Sequence, residues 1–149
     1  MRTFILKHLC FLAVLSFLCA ISDVLAQPHG TIKLNKNALA FATQLIKKGC
    51  VIADRKGAWS EHRPSAELEN EFIRQYGFGE YAKWYLGIDE RFPENTKRRY
   101  KFPYGDFRNV HRCGVLAVQN RAGEYKYAEI ENAAAEIRTI IDVTRNATR

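Results

Sequence analysis

The sequence predicts a small, mostly helical α+β domain with one β-hairpin near its centre and two helices at its C-terminal end. Three observations carry this. Apolar residues recur at helical spacing in several stretches, most regularly between Ala128 and Val143. Two short runs rich in strand formers, at about 84–89 and 99–104, flank a polar loop that carries Pro93. The composition of the 149-residue chain, 47% hydrophobic and 26% charged, is that of one globular domain. It excludes a collagen, a low-complexity disordered chain and a polytopic membrane protein.

Residues 1–26 read as a secretory signal peptide. Arg2 and Lys7 form a positive start, and Leu9 to Ile21 is a 13-residue run without formal charge. That run is short of the roughly 20 apolar residues of a spanning helix. Val24 and Ala26 place cleavage after Ala26. The expectation is a periplasmic or secreted bacterial protein of 123 residues whose net charge falls from +7 to +6. Such processing removes Cys10 and Cys19 and leaves Cys50 and Cys113. In an oxidising compartment these two form either one disulfide or two separate buried thiols.

Each element of the domain has a local reason. Residues 27–34 read as a mobile leader, 35–143 as the single domain and 144–149 as a frayed basic tail. Asn35 or Asn37 caps a first helix, in which Leu39, Ala42, Leu45 and Ile46 share a face and Gly49 is the stop. Cys50 to Ala53 is a short apolar strand candidate, and Asp54 to Pro64 a polar loop with Trp59, Glu61 and His62. Ser65 caps the next helix, whose Leu68, Phe72 and Ile73 are expected to face inward and which Gly77 ends. A short helix can continue to Lys83. Trp84 is expected in the core, whereas Trp59, in a polar loop, either caps the core or sits in a binding surface. The hairpin follows, with Pro103 at a sheet edge or strand end. Gly105-Asp106 turns the chain. Val110 to Ala122 is then a helix stopped by Gly123, and Ala128 to Val143 the last helix.

The stretch from Tyr100-Lys-Phe-Pro-Tyr-Gly-Asp-Phe-Arg-Asn-Val-His-Arg-Cys, with Asn120-Arg-Ala-Gly and Ile130-Glu-Asn-Ala-Ala, resembles a group of small, uncharacterised bacterial proteins. Over about residues 84–141 it is also distantly similar to a short domain that accompanies phage head-maturation proteases. That resemblance implies a hairpin followed by a helical pair and a bacterial source. It implies no catalytic residue.

The main charge feature is Lys97, Arg98, Arg99 and Lys101, followed by Arg108 and Arg112, interleaved with Tyr100, Phe102, Tyr104 and Phe107. Cations neutralise phosphates and exposed aromatic rings stack on bases. The leading expectation is therefore a binding or interaction module whose basic aromatic face takes an anionic partner: an anionic polymer, a membrane surface, a protein or, more weakly, nucleic acid. Alternation argues the other way, since it puts Tyr100, Phe102 and Tyr104 on one core-facing side and leaves the charges as a solvated face. A second reading is a metal-independent phosphodiester hydrolase of ribonuclease type. There Glu61, His62 and His111 supply acid–base groups, with Lys101 or Arg112 on the phosphate. A third is a structural envelope protein. No HxH, HExxH or Cys/His cluster occurs at ligand spacing, and no glycine-rich phosphate loop or GxSxG. Neither metal nor cofactor is expected from motifs. A site formed in space by Glu61 and His62 with Asp89 or Asp106 is a minor alternative.

Overall fold

The computed structural model describes residues 32–147. The proposed signal peptide lies outside the described residues, as does the end of the basic tail. No helix among the described residues is long and apolar enough to cross a membrane.

The fold is α+β. A short strand β1 (Ile32–Leu34) leads into helix α1 (Lys36–Lys47). Strand β2 (Val51–Ile52), a one-turn helix α2 (Trp59–His62) and helix α3 (Ala66–Ala82) follow. Next come β3 (Tyr85–Asp89), a 3-10 turn over Lys97–Arg99 and β4 (Tyr100–Pro103). The chain ends in β5 (Val110–His111), α4 (Arg112–Glu124) and α5 (Ala128–Ala147).

The expected hairpin is present: β3 and β4 pair antiparallel with Gly87 opposite Lys101 and Ile88 opposite Tyr100. It is part of a three-stranded sheet, because β1 pairs antiparallel with the other edge of β3. Residues 32–34 are thus a strand rather than part of a mobile leader. Ile32 and Leu34 pack against the core while the intervening Lys33 is exposed. The central strand has little room on its buried side. A Cβ on Gly87 would lie 2.7 Å from the Phe102 ring and 2.9 Å from Ile32.

Local signals set the helix ends. Asn35 caps α1 by accepting from Ala38 N–H, and its amide donates to the carbonyls of Ala82 and Tyr85. Gly49, at φ 79°, turns the chain after α1. Ser65 Oγ accepts from Leu68 N–H at the start of α3. Gly77 interrupts α3 with φ 78° and ψ 172°, so the two expected helices are joined by a kink. Leu68 corrects the expected inward face: it is 60% exposed, one residue too early on that turn to join Phe72 and Ile73.

The C-terminal pair differs from expectation in its borders. Val110 and His111 are strand, paired parallel with Val51 and Ile52, and α4 begins only at Arg112. Gly123 lies within α4; Lys126, at φ 60°, makes the turn. Helix α5 runs on to Ala147, so residues 144–147 of the expected tail are helical. It packs on α4, α1, β1 and β3 through Ile130, Ala134, Ile137 and Ile141, which close the core.

Candidate functional site

The site grows from the parallel β2–β5 ribbon. Val110 N–H donates to the Cys50 carbonyl, and this pairing brings the loop after β2 against the start of α4. The first N–H groups of a helix have no partner inside it. Asp54 fills that role from outside: its Oδ1 accepts from Cys113 N–H at 2.7 Å.

Its other oxygen is the meeting point of three side chains. His111 Nδ1 lies 2.8 Å from Asp54 Oδ2 and Cys113 Sγ lies 2.9 Å from it. His62 Nε2, carried by α2, lies 3.8 Å away. The two imidazoles stack with ring centroids 4.9 Å apart. On the far side of His111, Nε2 faces Asp106 Oδ2 at 3.2 Å, within ion-pair range but not aligned as a hydrogen bond. Asp106 is fixed in turn, its Oδ1 accepting from the N–H groups of Arg108 and Asn109. It is therefore the turn residue its type suggests, with a second role beside the histidine.

The electrostatics follow from these contacts. Burial opposes ionisation of Asp54, yet the Cys113 thiol, His111 and Cys113 N–H together hold its carboxyl below the usual range. Burial likewise opposes ionisation of Asp106, but the Asn109 and Arg108 N–H bonds and the neighbouring His111 ring hold it low. The Cys113 thiol is pushed up to about 12 by burial and then by its bond to the Asp54 carboxylate. In this arrangement it donates to the Asp54 carboxylate.

The Cys50–Cys113 disulfide is absent. Both cysteines are free, and Cys113 is buried with its sulfur turned to Asp54. The ribbon brings the two backbones near each other, but Asp54 takes the thiol.

Of the expected hydrolytic set, His62 and His111 come together and Glu61 does not. Glu61 is exposed and its nearest charge is Arg55, at 3.3 Å. His111 is 2% exposed, so His62 is the imidazole that solvent reaches.

The expected basic aromatic face is divided. Tyr100 and Tyr104 are core, the Tyr104 hydroxyl lying 2.5 Å from the Lys83 carbonyl. Phe102, at φ 63°, breaks the strand alternation and packs edge-on to Tyr127. Lys97 binds Glu69 at 2.9 Å, Arg99 binds the Phe92 carbonyl at 2.8 Å, and Arg112 binds Asp142 at 2.9 Å. Arg98 and Lys101 lie over the Phe92 ring at 4.5 and 5.7 Å. Arg108 is exposed beside the Asp106 turn.

A groove of about 680 Å³ opens on the neighbouring side. Trp59, Tyr125 and Tyr127 contribute aromatic walls. Arg63, Lys97, Lys101 and Arg121 line it against the single carboxylate of Glu69. Glu69 is tied in: Tyr85 Oη donates to it, and the Tyr81 and Tyr85 hydroxyls lie 2.5 Å apart. Trp59 belongs to both regions. A Cβ on Gly114 would lie 2.8 Å from the Trp59 ring, so the glycine lets the indole approach α4 closely.

Asp54 carries no signal of its own in the sequence, standing at the start of a polar loop. His111-x-Cys113 at a strand-to-helix junction was the available signal, since it puts two ligand-type side chains two residues apart. Together these features define a small α+β domain with a buried Asp–His–Cys cluster beside a cationic aromatic groove. Comparison with models of protein families, with curated proteins and with solved structures gives no match.

Proposed function

We propose that the protein is a binding module for an anionic chain, which lies in the groove between the hairpin and α4. One observation carries this: four cations and exposed aromatic surface line one groove against one carboxylate. The fit is to a partner that offers phosphate-like charge and flat groups together, because cations neutralise charge while Tyr125, 49% exposed, offers a stacking face. Arg121 already stacks on Tyr125 at 4.6 Å and holds that ring at the rim. The proposal moves the binding surface from the outer hairpin to the groove. Of the basic run it keeps Lys97 and Lys101 and adds Arg63 and Arg121. An exported location, read from residues 1–26, belongs to the same proposal and makes cell-wall polymers and released nucleic acid accessible partners.

The test is fluorescence anisotropy with a labelled single-stranded RNA at low and moderate salt. A salt-sensitive rise that Arg63→Glu with Arg121→Glu reduces at least tenfold is the expected result. A flat trace, or a rise indifferent to those charges, rejects the groove.

The hydrolytic reading keeps one supporting observation, the stacked His62 and His111. Burial of His111 leaves it no route to a substrate, so His62 would have to be the only imidazole in contact. The same trace tests it. A fall in anisotropy with time, absent in His62→Ala, would favour cleavage over binding.

A further inference from the structure

We propose that Asp54, His111 and Cys113, completed by His62, bind one divalent transition ion of zinc-like preference.

The donor atoms of Asp54, His111 and Cys113 all lie within 4.8 Å of one another. They come from different parts of the chain: the loop after β2, the end of β5 and the first turn of α4. An oxygen, a nitrogen and a sulfur donor together suit a borderline-soft ion such as Zn²⁺ or Co²⁺ and are a poor match for Mg²⁺ or Ca²⁺.

The crowding at Asp54 Oδ2 points the same way. His111 Nδ1, Cys113 Sγ and His62 Nε2 approach this one oxygen at 2.8, 2.9 and 3.8 Å. A carboxylate oxygen has two lone pairs, fewer than the groups aimed at it. An ion placed among the four atoms takes a lone pair from each. The donor atoms of a tetrahedral zinc site stand roughly 3.5 Å apart, given bonds of about 2.0–2.3 Å. The His62 distance is already near that value, and Asp54 Oδ2 needs to withdraw by about half an ångström from the other two. Binding exchanges the thiol proton, which passes to solvent, for the ion; His111 ligates as the neutral imidazole through Nδ1, its one ring proton carried on Nε2 toward Asp106, and no redox change is involved.

His111 is also oriented as a ligand. When a histidine binds metal through one nitrogen, the other commonly faces a carboxylate that fixes the ring. Asp106 stands 3.2 Å from His111 Nε2, held by the two backbone N–H groups of its own turn. Entry is past His62, whose side chain is 37% exposed while those of Asp54 and His111 are 9% and 3% exposed. This inference does not depend on the groove; the two regions share only the packing of Trp59.

The experiment is a Co²⁺ titration of the full chain under reducing conditions, followed by absorption and then by displacement with Zn²⁺. The expected result is one equivalent of Co²⁺ giving the intense visible bands of a tetrahedral ion with a sulfur-to-cobalt charge-transfer band in the near ultraviolet. Cys113→Ser, near-isosteric, should lose the charge-transfer band while circular dichroism stays native. His62→Gln should weaken Co²⁺ binding about tenfold and leave that band in place. Only the weak absorption of octahedral Co²⁺ in the unmodified protein overturns the proposal. A charge-transfer band that survives in Cys113→Ser overturns it too, since another cysteine would then be the ligand.

Discussion

Asp89 and Gly114 show how single positions are held, one by charge and the other by space. The Asp89 side chain is 2% exposed and bonded to Arg91 Nε and Nη2 at 2.9 and 2.8 Å. Those bonds first, and the Arg91 charge with them, hold its carboxyl below the ordinary range. A carboxylate with a depressed folded-state pKa stabilises the fold above its unfolded value of about 3.9, and the gain is lost as pH falls through the folded value. Urea midpoints of the unmodified protein should therefore drop steeply below about pH 4. Asp89→Asn should be less stable near neutrality and flatter through that acid range. Gly114 is the spatial case. Its Cβ position is claimed by the Trp59 ring at 2.8 Å and the Tyr104 carbonyl at 2.9 Å. Gly114→Ala should cost about 1–3 kcal/mol in urea denaturation. It should also change the Trp59 fluorescence, because the indole has to lift.

Among the elements, Asn35 is the joint between α1 and the sheet. Its side-chain oxygen caps α1, while its amide donates to Ala82 and Tyr85 carbonyls at 2.9 and 3.1 Å. Asn35→Asp keeps the cap and discards both donors. It should lose about 1–3 kcal/mol, recovering little of what Asn35→Ala loses, as thermal unfolding would show. Local work was legible in the sequence: the caps made by Asn35 and Ser65 and the turns at Gly49 and Gly77 act on their immediate neighbours, whereas the reach of the Asn35 amide to Ala82 and Tyr85 was not. The hairpin was legible through its aromatic strands. Strand β1 was not, because Ile-Lys-Leu is too short to carry a period. Strand β5 was hidden because Val110 also fits the apolar face of the helix that follows. The cluster was half legible. His62 and His111 stood out by type, whereas Asp54 meets His111 and Cys113 across 57 and 59 residues through a two-residue strand pairing that no local pattern encodes.

For the molecule as a whole, the net charge of +7 gives any polyanion a long-range attraction, and only the groove would give it a register. Lys97 is already held by Glu69, so three groove cations on three phosphates predict a salt slope of about −2 for log affinity against log salt on a single strand. A slope near zero would mean that the groove charges do not meet phosphates. The long-range pairing of β2 with β5 also bears on how the molecule reaches this state. Helices α1, α3 and α5 and the hairpin can each begin from contacts nearby in sequence, whereas the Asp54 cluster exists only once the chain has closed a loop of more than fifty residues. Helical signal should thus appear in refolding before Trp59 settles against Gly114. Partly folded chains would have their helices but no assembled Asp–His–Cys centre, so the centre is a marker of completed folding.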